Sequence, residues 1–227
     1  MQRKIITTND GSTSIQIVEW DEQYHSKHGA IQEAKHVFIK SGLSHFLKLY
    51  PLGNKDLISI LEIGFGTGLN AFITLLEAEK KDLTINYKGI EAFPVSEEEI
   101  KQLNYVSVLN AENKQSLFSK MHNLPWEEEL SITPFFKLEK LKKQFSEIKK
   151  TNAFDLIYFD AFGPRVQPEL WTESLFAIMY EALKNNGILV TYCAQGNARR
   201  AMQKVGFNVE KIQGPPGKRH MLRAIKG

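Results

Sequence analysis

The chain has 227 residues, of which 42% are hydrophobic and 24% are charged, and these proportions exclude an intrinsically disordered chain. Its length suits one main domain with a small appendage. No apolar run approaches the roughly 20 residues of a membrane span, and a net charge of +3 does not by itself indicate a nucleic-acid partner.

Two further global features narrow the class of protein. The N-terminus lacks an apolar signal-like segment, so we expect a cytoplasmic protein with no membrane partner. The single cysteine, Cys193, has no partner for a disulfide or for a cysteine-based metal site, and we expect no metal. Basic residues concentrate in 137–150 and 199–226, which favours either a solvated face or a surface that contacts a polyanion.

Residues 1–55 are predicted to form an N-terminal extension of strand and helix. Residues 14–20 alternate between apolar and polar side chains like a strand, whereas residues 30–50 carry apolar side chains at helical spacing. Gly42 is expected to weaken or divide that helix. In this position the extension can serve as a lid over a pocket of the following domain.

Residues 56–227 alternate short apolar runs with helical patterns, which is typical of a parallel sheet covered by helices. The predicted strands are Leu57–Ile63, Thr84–Glu91, Ser131–Phe136, Phe154–Asp160, Gly187–Tyr192, Phe207–Ile212 and Met221–Ile225. No long helix separates the last two strands, so they are expected to form an antiparallel hairpin. The prediction is an α/β fold with a mostly parallel seven-stranded sheet, an antiparallel C-terminal strand and helices on both faces.

A glycine-rich loop joins the first of these strands to a helix that begins near Leu69. Its pattern is E-x-G-x-G-x-G, with Glu62 followed by Gly64, Gly66 and Gly68. Glycines permit a tight turn there and let a ligand approach the backbone. A dinucleotide-binding loop prefers G-x-G-x-x-G, whereas here the third glycine comes one residue early.

The spacing and the acidic residue resemble the first motif of class I S-adenosyl-L-methionine methyltransferases, which have a Rossmann-like fold. The resemblance implies that the acidic residue lies near the cationic methionine end of the cofactor and that the glycine backbone lies under it. The residues expected to hold S-adenosyl-L-methionine around this loop are Glu62, Gly64, Phe65, Gly66, Gly68 and Asn70.

A second acidic residue, Glu91, ends the next strand and is followed by Ala92. A carboxylate at this position can accept hydrogen bonds from both hydroxyls of a ribose, so we expect both residues at the cofactor. Dinucleotide enzymes share this feature. A nicotinamide oxidoreductase therefore remains an alternative.

The fourth strand ends at Asp160, in the region where an open α/β sheet places its ligand. The sequence Asp160-Ala-Phe162-Gly-Pro164 is similar in kind to the Asp/Asn-Pro-Pro-aromatic element of amino-group methyltransferases. A carboxylate there can orient an attacking amine and take its proton, so Asp160 is the predicted catalytic residue and faces the expected methyl group. The alternative is a helix-capping or loop-bracing aspartate, the kind of structural role expected of Asp155.

Three longer segments resemble one family, the tRNA 5-methylaminomethyl-2-thiouridine methyltransferases (MnmD and the methyltransferase half of bifunctional MnmC). They are LEIGFGTGLN, FDLIYFDAFGPRVQPELWTESLF and GILVTYCAQGNARRAMQKVGFNVEKIQGPPGKRHML, and an N-terminal stretch from Asp21 to Phe38 also matches. The resemblance implies methyl transfer to the exocyclic amine of 5-aminomethyl-(2-thio)uridine at the tRNA wobble position. The partner would be the tRNA anticodon loop.

The resemblance also implies particular roles for residues and domains. An unstacked base is commonly held by aromatic or planar cationic side chains, and basic residues contact phosphates. The expected substrate-binding residues are Phe162, Pro164, Arg165, Trp171, Lys218 and Arg219. Glu33 is a candidate for the lid, and no second glycine fingerprint for FAD is found, so the chain is expected to lack the oxidase domain of the bifunctional proteins.

The sequence departs from the family between Ser131 and Leu141. The family is expected to have an acidic residue there that approaches the adenine ring, and in this chain only Glu139 can take its place. Two other functions also remain open. One is a methyltransferase that uses the same cofactor on a small-molecule amine, for which the basic segments would be solvated faces. The other is an inactive methyltransferase-like module that binds RNA.

Overall fold

The computed structural model describes residues 2–51 and 57–227. Strands within these ranges form a small N-terminal sheet and a large central sheet. The strands of the small sheet are β1 (Arg3–Thr7), β2 (Thr13–Ile17) and β3 (Glu22–Gln23). Those of the large sheet are β4 (Leu57–Ile63), β5 (Thr84–Ile90), β6 (Glu129–Thr133), β7 (Phe136–Leu141), β8 (Phe154–Phe159), β9 (Leu183–Thr191), β10 (Phe207–Gln213) and β11 (His220–Lys226).

Helices cover both faces of the large sheet, where two separate apolar cores form. The α-helices are α1 (Ala30–Ala34), α2 (Ser44–Leu49), α3 (Leu69–Lys80), α4 (Glu97–Ile100), α5 (Tyr105–Val108), α6 (Gln115–Asn123), α7 (Glu173–Ala182) and α8 (Gly196–Lys204). Short 3-10 turns lie at Val18–Trp20, Glu112–Lys114, Phe145–Glu147 and Pro168–Trp171. In the described ranges, no helix is long and apolar enough to cross a membrane.

The large sheet has eight strands in the order β10-β11-β9-β8-β4-β5-β7-β6. The five strands from β9 to β7 run parallel, whereas β10, β11 and β6 pair antiparallel. The predicted C-terminal hairpin is therefore present. The predicted strand Ser131–Phe136 is wrong, because a turn divides it: β6 ends at Thr133 and β7 begins at Phe136. The resulting hairpin adds the eighth strand.

The strand order positions the ligand site. β4 lies at the centre, paired with β5 on one side and β8 on the other. The chain leaves β4 toward β5 and later returns to its opposite side at β8, so the loops after β4 and β8 diverge at the carboxyl edge. Such a switch point is where open α/β sheets bind their ligands.

The N-terminal segment differs in detail from the prediction. The predicted strand 14–20 is β2 followed by the turn Val18–Trp20. Helical structure runs without a break over α1, a π-helix (Lys35–Leu43) and α2. Gly42 lies inside the π-helical part and does not divide the helical segment. The predicted boundary between residues 55 and 56 lies outside the described residues.

Candidate active site

A cavity of about 1090 Å³ opens at the carboxyl edge of the large sheet. Its walls come from the N-terminal segment, the glycine loop, the loops after β5, β8 and β9, and the turn between β10 and β11. The predicted site residues that line it are Glu33, Gly64, Gly66, Glu91, Ala92, Asp160, Phe162, Pro164, Arg165, Lys218 and Arg219. The fold thus brings together residues predicted from five segments of the chain.

The glycine loop is shaped by its contact with the end of β8. Gly64 adopts a φ of +88°, and a Cβ there would lie 2.6 Å from the backbone oxygen of Asp160. Only glycine tolerates this conformation together with this approach. The backbone N–H of Asp160 donates to the Ile63 carbonyl at 2.9 Å, so the carboxylate is held beside the loop.

A buried polar cluster lies directly behind the loop. The Asn70 Nδ2 group donates to Glu62 Oε1 and to Asp160 Oδ2, both at 2.8 Å, and the Tyr87 hydroxyl donates to Glu62 Oε2 at 2.9 Å. Asn70 Oδ1 is buried without a hydrogen-bond partner among the described residues. Asn70 therefore joins the two predicted carboxylates behind the cavity wall, where neither Asn70 nor Glu62 lines the cavity.

The electrostatics of this cluster favour a cationic ligand. Burial raises the pKa of Glu62 well above its usual value, and the charges of Asp160 and Glu91 raise it further. Burial and then the charge of Glu33 raise the pKa of Asp160 to about 7. A nearby cation would stabilise these carboxylates. S-adenosyl-L-methionine fits these residues, because its sulfonium or ammonium would stabilise their ionised forms.

Glu91 is positioned by the backbone of two loops. Its Oε2 accepts from the Gly66 N–H at 3.0 Å and its Oε1 accepts from the Phe93 N–H at 2.9 Å. The carboxylate is thus fixed at the end of β5, where a ribose would lie. Sequence reasoning missed Gln144 and Phe145, which line the cavity beyond Ala92 and Phe93.

Five residues predicted near the cofactor do not line the cavity: Glu62, Phe65, Gly68, Asn70 and Glu139. Phe65 is 3% exposed and packs beneath the loop against Gly89, and Gly68, like Phe65, does not line the cavity. Glu139 forms an ion pair with Lys88 and also lies outside the lining. Gln144 and Phe145 line the cavity, whereas Glu139 does not.

The N-terminal segment covers the glycine loop. A Cβ at Gly66, whose φ is +48°, would lie 3.0 Å from the Tyr24 ring. Next to it, His25 Nδ1 lies 2.9 Å from Ser14 Oγ, and its Nε2 lies 3.5 Å from Thr67 Oγ1. Burial lowers the pKa of His25 to about 4, so the ring is neutral at neutral pH. These contacts join the small sheet to the cofactor loop; Tyr24 and His25 lie in the N-terminal stretch that resembles the family, but the sequence did not predict their contact with the loop.

The acceptor side of the cavity is aromatic. The Phe162 ring meets the edges of Trp20 and Tyr24, with centroid distances of 5.5 and 5.0 Å. Arg165 Nη2 donates to the Trp20 carbonyl at 3.0 Å, which ties the loop after β8 to the N-terminal segment. The three rings and Arg165 all line the cavity.

Trp171 does not line the cavity, although a direct substrate contact was predicted. Its side chain is 5% exposed and packs against Phe159 and Phe176 in the core. Its indole N–H donates to the Phe162 carbonyl at 2.8 Å. Trp171 therefore supports the loop that carries Phe162.

Two predicted carboxylates remain: Asp155 lies outside the cavity lining, and Glu33 is part of it. Asp155 accepts from the Ser59 N–H and from Lys184 Nζ, at 2.8 and 2.9 Å, and so braces the far end of β8 as expected. Glu33 accepts from the Ser26 N–H at 2.8 Å and from Lys218 Nζ at 2.6 Å. Glu33 and Lys218 thus meet inside the cavity.

Comparison with known proteins agrees with this geometry. Residues 111–227 match the model of a family described as S-adenosyl-L-methionine-dependent methyltransferases. A protein of Delftia acidovorans, named as the tRNA 5-methylaminomethyl-2-thiouridine biosynthesis bifunctional protein MnmC, is 30% identical over 217 residues. A Leptospira interrogans protein of the same name is 31% identical over 210 residues. Each alignment covers 90% of this chain and 32% of the relative, so the chain spans about a third of their length.

Solved structures agree on the fold. MnmC2 from Aquifex aeolicus superposes with a TM-score of 0.77 at 24% identity, covering 98% of this chain and 70% of that one. Spermidine synthase from Thermotoga maritima gives a TM-score of 0.59 at 17% identity, covering 99% of this chain and 69% of that one. Both similarities concern the fold, which is the Rossmann-like class I fold.

Proposed function

The chain belongs to the S-adenosyl-L-methionine-dependent methyltransferase family, and we propose that it methylates the exocyclic amine of 5-aminomethyl-(2-thio)uridine at the wobble position of tRNA. The observation that carries the proposal is the position of Asp160, a carboxylate with a pKa of about 7 beside the glycine loop in a cavity that aromatic residues also line. The names of the relatives supply the tRNA substrate. Such a substrate also favours action in the cytoplasm.

The chemistry follows from what an amine needs. When bound, the cofactor supplies an electrophilic methyl group on a cationic sulfur. Asp160 accepts a proton from the substrate's ammonium and orients the freed lone pair toward the methyl carbon. Methyl transfer would form the nitrogen–carbon bond as the carbon–sulfur bond breaks and would leave a secondary ammonium, while Asp160 returns its single proton to the solvent in the cavity. Glu91 contacts the donor, whereas Glu62 and Asn70 act through the hydrogen bonds that position Asp160.

The substrate side is proposed from the aromatic and basic residues that line the cavity. Phe162 and Pro164 form one wall for the uridine, with Arg165 beside them, and Arg219 contacts a phosphate. Trp171 acts through the loop that it supports. The single-stranded anticodon loop suits this site because its bases can unstack without breaking a duplex.

The test is nucleoside analysis of tRNA after incubation with the protein and methyl-labelled cofactor. The tRNA should come from cells that accumulate the aminomethyl nucleoside. We expect label only in 5-methylaminomethyl-(2-thio)uridine, and Asp160→Asn should reduce its rate 10²–10⁴-fold, the usual contribution of a general base. The Asp155→Asn variant is the matched control on the same strand.

The outcomes separate the alternatives. Label in a different nucleoside would refute the proposed acceptor. Label in no nucleoside, with cofactor binding intact, would favour the small-molecule amine or the inactive RNA-binding module. Protection of the protein from heat by NADH but not by S-adenosylhomocysteine would refute the cofactor as well.

A further inference from the structure

Lys218 places its own ammonium inside the cavity. The side chain reaches from the turn between β10 and β11, and its Nζ lies 2.6 Å from Glu33 Oε1. The same nitrogen lies 3.9 Å from the centre of the Tyr192 ring. The Tyr192 hydroxyl donates to the Ala161 carbonyl at 2.8 Å, which fixes the ring beside the residue that follows Asp160.

The three groups around this nitrogen form a binding site for an alkylammonium. Glu33 supplies a carboxylate that is 9% exposed, and Tyr192 supplies a ring face that attracts cations. Asp160 is close enough that the charge of Glu33 raises its pKa and the charge of Lys218 lowers it. A carboxylate, an aromatic face and a second carboxylate are the groups that recognise a primary ammonium.

We propose that Lys218 is a placeholder: its ammonium occupies the subsite of the substrate's aminomethyl ammonium, and the arriving substrate displaces it. This inference rests on the proposed function, because it assigns the subsite for the amine of that substrate. Primary alkylamines are mostly protonated at neutral pH, so substrate and Lys218 present the same group. After the exchange, Glu33 and Tyr192 hold the substrate's ammonium next to Asp160, which takes the proton.

Displacement is feasible for this side chain. The Lys218 side chain is 33% exposed, and the buried Glu33 carboxylate keeps a cationic partner during the exchange because the substrate's ammonium replaces that of Lys218. The flexible four-carbon stem allows the ammonium to swing out of the cavity. Once displaced, the Lys218 ammonium would join Arg219 and Lys211, which also line the cavity. These cations are on the side that would face a phosphate.

A placeholder and a direct substrate contact predict opposite effects on amine binding when the Lys218 ammonium is removed. If Lys218 only bound the substrate, its removal would weaken binding. If it competes with the substrate's ammonium, its removal strengthens binding of amines and leaves matched alcohols unchanged. Lys218→Met retains much of the stem that packs on Tyr192 and removes the charge.

The experiment is a calorimetric titration at pH 7 with the full chain saturated with S-adenosylhomocysteine. The ligands are 5-aminomethyluridine and n-butylammonium, with 5-hydroxymethyluridine and n-butanol as uncharged controls. We expect Lys218→Met to bind both amines about tenfold more tightly than the wild-type protein does. Adding Glu33→Gln should remove the gain, and the alcohols should not change.

Several results would overturn the placeholder. They are weaker or unchanged amine binding by Lys218→Met, an equal gain for the alcohols, or a gain that survives Glu33→Gln. Lys218→Gln, which keeps a donor for Glu33, provides a second variant, and unchanged affinity for S-adenosylhomocysteine shows that each variant is folded. The n-butylammonium titration needs no uridine, so a gain there stands even if tRNA proves not to be the acceptor.

Discussion

At the scale of single residues, Asp160 is buried, yet its carboxyl must be ionised to accept a proton. Burial and Glu33 oppose its ionised form, whereas Asn70 and Lys218 favour it, and the pKa settles at about 7. A base with a pKa near the working pH is effective, because it is ionised often enough and still accepts a proton readily. For an aspartate that only braced a loop, the same burial would cost free energy without any gain in reactivity.

This value predicts the pH dependence of turnover. The carboxyl is protonated below its pKa and cannot accept a proton, so kcat/KM should fall about tenfold per pH unit below about pH 7. The measurement is the initial rate of methyl transfer between pH 5 and 9. Asp155→Asn should keep this acid limb. Survival of the limb in the residual activity of Asp160→Asn would assign it to another group.

At the scale of elements, the small N-terminal sheet closes the cofactor half of the cavity. Arg3 on β1 donates to the carbonyls of Phe93 and Pro94, at 2.7 and 3.1 Å. Tyr24 covers Gly66 from the other side. The N-terminal segment therefore contacts both the loop after β5 and the glycine loop.

Removing the Tyr24 ring should weaken cofactor binding. In Tyr24→Ala the cover over Gly66 is lost and solvent reaches the loop, so we expect the Kd of S-adenosylhomocysteine to rise about tenfold, equivalent to about 1.4 kcal/mol. Tyr24→Phe keeps the ring and should stay within about twofold of the wild-type Kd. Calorimetry measures both. Equal affinities for the alanine variant and the wild-type protein would show that the cover plays no part in holding the ligand.

At the scale of the whole molecule, the basic residues are arranged asymmetrically although the net charge is only +3. Lys27, Lys211 and Arg219 line the cavity at the carboxyl edge of the sheet. Lys81 follows the end of α3, which runs from the glycine loop back toward the opposite edge. A polyanion that approaches the cavity therefore contacts Lys27, Lys211 and Arg219 but not Lys81.

This arrangement predicts the salt dependence of tRNA binding. Each phosphate contact that is lost lowers the slope of log affinity against log salt by about one. Arg219→Ala should show this decrease, whereas Lys81→Ala should keep the wild-type slope. Fluorescence anisotropy of labelled tRNA between about 50 and 200 mM salt measures it. Equal slopes for all three proteins would exclude Arg219 from the RNA interface.

Much of the fold was predictable because the strands are short and strongly apolar. β4 was predicted to the residue, and β5 and β8 to within one residue at their ends. The hairpin of β6 and β7 was missed because Ile132, Phe135 and Phe136 form a continuous apolar pattern across its turn. Periodicity records side-chain burial along a segment and does not record where the chain reverses.

The glycine loop, Glu62, Glu91 and Asp160 could be predicted from the sequence, because each follows a strand of a parallel sheet and such ends converge at one edge. The cover by Tyr24, the buried position of Trp171 and the pairing of Glu33 with Lys218 depended on tertiary structure. Those contacts join residues far apart in the chain, at distances set by how the N-terminal sheet and the last turn pack. Local sequence therefore determined the glycines and carboxylates at the strand ends, and packing decided which distant side chains close the cavity around them.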